Sequence, residues 1–179
     1  AWVAGELGLA DDFMPDPNPQ QPLAVRRPVL ARREVRFEGD AVAVVLAESE
    51  YEAHDATDAI DVRLNPLSQA ADAVPAQSFR IGDAERSIRE APVKVSQHLK
   101  MARICGAAME PRAAFADWRA AENKLYIRAS VGGVHVLRDT LARCLGLERG
   151  QVVALAEDVG GSFGAKNHPF PEYILAAAT

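Results

Sequence analysis

Cysteine is scarce in this sequence, which has only two, Cys105 and Cys144, among its 179 residues. They lie far apart and match no metal-ligand spacing. A disulfide would require an oxidising compartment, and two reduced, half-buried thiols are the simpler interpretation. His135 and His168 also have no second histidine or cysteine at metal-ligand spacing. We therefore predict that no side chain of this sequence binds a metal.

Long apolar runs and an excess of positive charge are missing as well. No apolar stretch is long enough to cross a bilayer, and no basic segment followed by an apolar core opens the sequence. The formal net charge of −5 argues against nucleic-acid binding, which depends on clustered lysine and arginine. Residues 25–36 are locally basic, but their pattern predicts a solvated, partly extended segment. We expect a cytoplasmic protein with no membrane span and no nucleic-acid partner.

What is present is the composition of a globular protein, 49% hydrophobic and 25% charged. The sequence begins at Ala1 and stops within the helix-like pattern "PEYILAAAT", which contains no helix stop signal. We therefore expect it to be a piece of a longer polypeptide.

The first part of the chain predicts one compact α/β unit. The apolar run 41–47 is long enough for a buried strand, and Ser49 with Glu52 forms a capping-box pattern. A helix is therefore expected over 50–60, followed by an alternating strand over 61–67 that ends near a proline. The helix residues expected on the buried side are Ala53, Ala56 and Ile60.

Residues 68–78 are small, polar and aperiodic, as expected of a domain boundary. The stretches 93–104, 124–130 and 151–157 predict strands. An amphipathic helix is expected over 135–146, ending at Gly146 in the left-handed conformation. Its apolar positions are Val136, Leu137, Leu141, Cys144 and Leu145.

The stretch "DVGGSFGAKNHPFPEY", residues 158–173, places three glycines directly after a predicted strand. Gly160, Gly161 and Gly164 let a ligand approach the main chain without interference from Cβ atoms. Successive N–H groups in such a loop can converge on an anion or an oxo group. Pro171 is a good first-turn residue for a helix after the loop.

Two nucleotide-binding motifs do not fit this loop. A phosphate-binding P-loop requires glycine before the lysine and serine or threonine after it, where this sequence has Ala165 and Asn167. The glycine spacing also differs from that of a dinucleotide-binding fingerprint. A glycine-rich turn without any ligand remains an alternative.

The loop resembles the G-G-x-F-G-x-K loop of the molybdenum hydroxylases, the family of xanthine dehydrogenase, aldehyde oxidase and aerobic carbon monoxide dehydrogenase. "AMEPRAAFADW", residues 108–118, is similar to the M-E-P-R-[AG] segment of that family. Residues 135–161 follow the family's order of helix, turn, strand and glycine loop, and residues 28–67 resemble its hammerhead-like domain. The resemblance runs from about residue 28 to the end.

The resemblance implies an α+β fold. Residues 1–78 would form a hammerhead-like α/β domain, and residues 79–179 would form the beginning of the first molybdopterin-binding α+β domain of a large subunit. A non-catalytic relative that keeps this fold for assembly is the alternative.

The resemblance also implies a molybdenum–molybdopterin cofactor, with the cytosine dinucleotide form as one candidate. The complete enzyme would hydroxylate an aldehyde, N-heterocycle or similar small molecule with oxygen from water. Its electrons would pass to iron–sulfur and FAD modules on other domains or subunits. The remainder of the large subunit would be a further partner. This polypeptide alone would show no turnover and would bind the cofactor weakly, if at all.

The implied cofactor-binding residues are Gly160, Gly161, Ser162, Phe163 and Gly164. The main chain at Phe163 and Gly164 would face the oxo and sulfur ligands of molybdenum, where N–H donors stabilise developing charge. The Phe163 ring would shield the metal from water. No residue here is predicted to be catalytic, because the active-site glutamate of the family lies beyond residue 179.

Two further charged residues carry open interpretations. Glu110 is either an anchor that binds backbone amides or a surface carboxylate. Lys166 could steady the loop or a nearby carboxylate, although a lysine in a turn is ordinarily exposed and without a specific role.

The sequence departs from the family pattern at two positions. Gly132 stands where the family usually has a glutamine whose amide reaches the metal's oxo ligand, and Ser162 stands where a glycine is common. These departures favour changed substrate and redox properties, or the non-catalytic alternative.

Overall fold

A computed structural model describes residues 1–15, 26–67 and 80–179 of the chain. The contacts divide the chain into two compact units, one of residues 1–67 with 106–179 and one of residues 68–105. The predicted boundary at 68–78 lies outside the described residues.

The larger unit begins with a short antiparallel pair, β1 (Trp2–Val3) and β2 (Ala43–Val44). The strand predicted over 41–47 is therefore much shorter than expected. Its length is limited by its partner, because a strand extends only as far as the neighbouring strand that completes its hydrogen bonds.

The predicted helix is confirmed as α1 (Glu50–Asp58), where the Ser49 hydroxyl accepts the Glu52 N–H at 3.3 Å. The reciprocal bond of a capping box, from the Ser49 N–H to the Glu52 side chain, is not among the hydrogen bonds of the described residues. No residue of α1 is buried, and Ala56 on its expected inner face is exposed. The strand predicted over 61–67 is wrong, since these residues are exposed and join no ladder in the described parts of the chain. An alternating pattern supplies a face for packing but no hydrogen-bond partner.

The basic stretch 25–36 is less solvated than predicted, because Val29 and Leu30 are buried within it. The Val29 N–H donates to the Asp12 carbonyl at 2.8 Å. The arginines around these two residues form ion pairs with nearby aspartates, which lets the apolar side chains between them turn inward. The ion pairs are Arg26–Asp11, Arg27–Asp40 and Arg32–Asp12.

The described part of the smaller unit contains α2 (Ala84–Glu90). Asp83 is the N-cap of this helix, and its side chain accepts the Arg86 N–H. The long strand predicted over 93–104 is wrong: the stretch is exposed and forms no strand with any described residue. As at 61–67, the sequence alternates, but no strand in the described ranges pairs with it.

A three-stranded sheet organises the rest of the larger unit. Strand β3 (Ala114–Arg119) pairs antiparallel with β4 (Lys124–Ala129), and β4 pairs in parallel with β5 (Val152–Leu155). The β3–β4 turn ends at Asn123, whose φ of 53° is one that asparagine tolerates well. The predicted strands at 124–130 and 151–157 are thus confirmed in position.

Helix α3 (Val134–Leu145) connects β4 to the parallel strand β5. The prediction is confirmed for Leu137, Leu141 and Cys144, which are fully buried, whereas Val136 is about half exposed. Gly146 ends the helix with a φ of 68°, as predicted. Val136 lies outside the buried face of α3, because that face is narrower than the set of apolar positions in the sequence.

Helix α4 (Pro171–Ala178) begins at the predicted proline and packs its apolar side into the core. Tyr173 is buried, and its hydroxyl donates to the Ser130 carbonyl at 2.8 Å. This bond joins α4 to the chain just after β4. The buried apolar residues of the sheet and these helices are Leu125, Ile127, Ala129, Val131, Leu137, Leu141, Ala142, Cys144, Val152, Tyr173, Ile174 and Leu175.

The two cysteines are free, with Cys105 exposed and Cys144 buried. Burial raises the pKa of the Cys144 thiol, which keeps it in its neutral form. Among the described residues, no helix is both long and apolar enough to cross a membrane.

Candidate functional site

The five residues predicted to contact a cofactor lie in one bend between β5 and α4. Three residues of the bend have left-handed backbone conformations: Gly161 (φ 97°), Phe163 (φ 48°) and Gly164 (φ 87°). Glycine adopts such angles without strain, but a residue with an aromatic side chain does so at a cost. The conformation at Phe163 must therefore be imposed by its surroundings.

Ser162 closes the bend from inside. Its carbonyl accepts the Ala165 N–H at 2.8 Å, and its hydroxyl accepts the Lys166 N–H at 3.2 Å. The same hydroxyl donates to the Asn167 side chain at 3.3 Å. The serine that departs from the family pattern therefore contributes three hydrogen bonds to the bend.

The tip of the bend carries two adjacent main-chain N–H groups. These groups, those of Phe163 and Gly164, find no acceptor among the residues that the structure describes. Phe163 is 77% exposed, and a Cβ on Gly164 would meet no heavy atom within 4 Å. The two residues that carry these adjacent main-chain donors are thus both exposed.

One carboxylate holds both ends of the bend. Glu110 Oε2 accepts the Gly160 N–H at 2.6 Å and the Lys166 ammonium at 2.7 Å. The Glu110 N–H also donates to the Gly160 carbonyl at 3.4 Å. The interpretation of Glu110 as an anchor for backbone amides is confirmed.

Lys166 is not the exposed turn lysine that the sequence led us to expect, because only 2% of it is accessible to solvent. Its hydrogen bond to Glu110, followed by the Gly160 N–H, holds the pKa of the Glu110 carboxyl below its ordinary value. A buried ammonium requires a partner of opposite charge, and this requirement accounts for the arrangement. One indication of this pair was present in the sequence: Glu110 and Lys166 stand in the two segments, 108–118 and 158–173, that resemble the same family.

Residues just before Glu110 pack against the bend. A Cβ on Gly106 would lie 3.1 Å from the Phe163 Cβ, so Gly106 supports the main chain there. The Phe163 ring lies over Gly161, where an added Cβ would come within 3.0 Å of the ring and 3.4 Å of Ala108. Gly106 was not singled out from the sequence, since nothing marks an isolated glycine as a packing site.

Gly132 touches the far end of the bend. Its N–H donates to the Lys166 carbonyl at 2.8 Å. A Cβ on Gly132 would lie 3.4 Å from the Asn167 Oδ1 and from the Lys166 carbonyl oxygen, which is close to ordinary contact. The place where the family usually has a glutamine is therefore next to the bend and has room for a side chain.

Side chains offer no metal site within the described ranges, where no group of three or more His, Cys, Asp and Glu residues could hold an ion. His135 and His168 are both exposed and lie outside the bend's hydrogen bonds. The donors at the bend are main-chain N–H groups, which suit an acceptor ligand rather than a bare cation.

Comparison with known proteins fits these observations. Residues 68–179, which include the bend, Glu110 and Gly132, match the signature of the molybdopterin cofactor-binding domain. The chain belongs to this family. The match confirms the resemblance to molybdenum-containing oxidoreductases that the loop and the segment around Glu110 indicated, and with it the mixed helix and sheet content.

Individual relatives of this member of the molybdopterin cofactor-binding domain family are much longer than it is. The nicotine 6-hydroxylase large subunit of Paenarthrobacter nicotinovorans is 30% identical over 172 aligned residues, covering 85% of this chain and 21% of that protein. The solved structure of aldehyde oxidoreductase from Desulfovibrio gigas has a TM-score of 0.69 and 30% identity, covering 85% of this chain and 19% of that one.

The crystal structure of quinoline 2-oxidoreductase from Pseudomonas putida 86 shares the fold, with a TM-score of 0.70 and 24% identity over 86% of this chain and 22% of that one. The chain thus spans about a fifth of the length of the relatives it matches. Two further relatives are named the 6-hydroxypseudooxynicotine dehydrogenase complex subunit gamma of Paenarthrobacter nicotinovorans and the xanthine dehydrogenase molybdenum-binding subunit of Escherichia coli O157:H7.

Proposed function

We propose that the bend from Gly160 to Gly164 binds a molybdopterin cofactor, with the free N–H groups of Phe163 and Gly164 as its donors. The observation that carries this proposal is a pair of adjacent amides, on two exposed residues, that find no acceptor in the described parts of a chain of the molybdopterin-binding family. Their geometry is imposed by the fold before any ligand arrives, which is the condition for preorganised electrostatic stabilisation.

The residues of the bend fit such a cofactor chemically. Oxo and sulfur ligands of a molybdenum centre are acceptors, and neutral N–H donors can approach them without adding charge to the site. The absence of side chains at Gly161 and Gly164 lets the main chain come close to a bulky group. The exposed Phe163 ring is available to exclude water from one side of it.

When bound, the cofactor supplies the redox-active metal at which a small organic substrate is hydroxylated with oxygen from water. This chain contributes the donors and the shape of the bend. We further propose that the rest of the large subunit provides the general base and the substrate pocket, for an aldehyde, an N-heterocycle or a similar molecule. Because the chain spans about a fifth of its relatives, activity requires those other parts.

Several finer features belong to the same proposal. Residues 1–78 would form a hammerhead-like domain, and residues 79–179 would form the start of the cofactor domain. Iron–sulfur and FAD modules would carry the electrons away, and the cofactor would be molybdopterin itself or its cytosine dinucleotide. The names of the relatives support a multi-subunit oxidoreductase as the setting.

The experiment is to express the assembled protein in a host that makes molybdopterin and to measure molybdenum and pterin per chain. The wild type should carry both in stoichiometric amounts. Gly164→Ala places a Cβ at a φ of 87° and should weaken binding about fivefold or more, since a left-handed alanine costs about 1–2 kcal/mol. Gly150→Ala is the matched control, because its Cβ meets nothing within 4 Å and its φ is not left-handed.

If the wild type carries no molybdenum in such a host, the proposal fails and the non-catalytic alternative is preferred. If Gly164→Ala and Gly150→Ala bind equal amounts, the cofactor is held elsewhere.

A further inference from the structure

The Glu110 carboxylate is placed where it can control the shape of the bend. One oxygen, Oε2, accepts the Gly160 N–H at the entry and the Lys166 ammonium at the exit. The Glu110 main chain adds a third contact through the Gly160 carbonyl. These three contacts fix the ends of a bend whose tip N–H groups, those of Phe163 and Gly164, find no acceptor among the described residues.

The buried Lys166 ammonium requires its ion pair with Glu110, and this pair holds the two ends of the bend together. Only 2% of Lys166 is exposed, while 35% of the Glu110 side chain is. A buried charge without a partner is far more costly than a charge that water can reach. Lys166 therefore remains in place only while Glu110 is ionised beside it, and the Lys166 backbone is held with it by Ser162 and Gly132.

The tip of the bend needs such support. Phe163 has a φ of 48°, and a strained backbone persists only where the surroundings over-determine it. Burial of the residue does not provide this, because Phe163 is 77% exposed, although its main chain packs against Gly106. The closed ends of the bend add to that packing.

We propose that Glu110 and Lys166 are positioning residues, whose ion pair holds the bend in the strained form that keeps the Phe163 and Gly164 N–H groups free for a ligand. That the ligand is the cofactor rests on the function proposed above. The closure itself is a property of the cofactor-free protein and is testable without the cofactor.

The test is hydrogen exchange on the assembled protein, expressed in a host that cannot make molybdopterin. The amides of Ala165, Lys166 and Gly132 report on closure, because each donates within or onto the bend. Glu110→Gln and Lys166→Met should speed their exchange about tenfold or more, as expected when a local structure opens more often. Lys166→Met leaves a carboxylate that water can reach. The exchange measurement can therefore be made on this variant if Glu110→Gln prevents folding.

The matched control is Glu172→Gln, which also removes one carboxylate from an ion pair. Glu172 pairs with Arg112 at 3.0 Å and, among the described residues, its side chain forms no hydrogen bond or ion pair with the bend. Exchange at the three reporter amides should stay at the wild-type rate. Equal rates in all variants, or equal acceleration in the control, would overturn the proposal.

A rescue separates positioning from general stability. Glycine reaches left-handed angles without strain, so Phe163→Gly in the Glu110→Gln background should restore much of the lost protection. A merely structural role for Glu110 would give no such rescue, and its absence would count against the proposal. Molybdenum content of the wild type is measured separately, so a missing cofactor would refute the proposed function while the exchange data still decide on the ion pair.

Discussion

A Cβ atom on Gly160 would lie 2.6 Å from the Glu110 Cβ, closer than real side-chain atoms approach each other. The main chain of the bend is thus pressed against the residue whose carboxylate binds it. Glycine at this position is a steric requirement, whereas Gly132 on the other side of the bend has space beside it.

The first prediction compares alanine at these two glycines. Gly160→Ala should lower the free energy of unfolding by about 1–3 kcal/mol, the usual cost of overpacking. Gly132→Ala should change it by less than about 1 kcal/mol, because alanine also restricts the unfolded chain. Urea denaturation followed by circular dichroism measures both. If both variants lost the same free energy of unfolding, the close contact with Glu110 would not be what excludes a side chain at position 160.

The second prediction concerns the two partners of the buried ion pair. Glu110→Gln should destabilise the protein more than Lys166→Met, because the first leaves a buried ammonium and the second leaves a carboxylate that water reaches. The midpoints of urea unfolding at neutral pH give the comparison. The reverse order would mean that Lys166 is not enclosed as the structure shows.

The third prediction is a pH dependence on the acid side. The folded-state pKa of Glu110 is below its ordinary value, first because of Lys166 and then because of the Gly160 N–H. Its contribution to stability is therefore fully present above the ordinary carboxyl pKa and is lost as the pH falls through the folded pKa. The fall of unfolding free energy with acid should be shallower in both Glu110→Gln and Lys166→Met. A wild-type slope in both variants would contradict the assigned cause.

The fourth prediction tests the link between α4 and β4. Tyr173→Phe removes the donor to the buried Ser130 carbonyl and should cost about 1 kcal/mol or slightly more. Tyr126→Phe is the matched control: its hydroxyl donates to Glu122 at 2.6 Å, but on the surface, so the change should be smaller. Thermal unfolding of the two variants in parallel would reveal any inversion of this order.

The sequence predicted the elements whose signals are local. The position of α3, the left-handed Gly146 after it and the proline at the start of α4 follow from hydrophobic spacing and capping chemistry within a few residues. The same holds for the strand β4. Such features depend little on the rest of the chain.

The predictions that failed required knowledge of a distant partner. The stretches 61–67 and 93–104 alternate like strands, but alternation does not reveal whether another strand will pair with them. The burial of Lys166 likewise depends on Glu110, which is far away in the sequence. The five residues of the bend could be proposed from the sequence only because of its resemblance to a known loop.

The central claim is that the Phe163 and Gly164 amides bind the molybdopterin cofactor. Its most direct test is residue-resolved hydrogen exchange at these two amides, with the assembled protein prepared with and without cofactor. Exchange should be fast in the cofactor-free protein and about tenfold or more slower in the loaded protein, with Asn123 in the β3–β4 turn unchanged. Equal rates at Phe163 and Gly164 in both preparations, with molybdenum present in one of them, would contradict the claim.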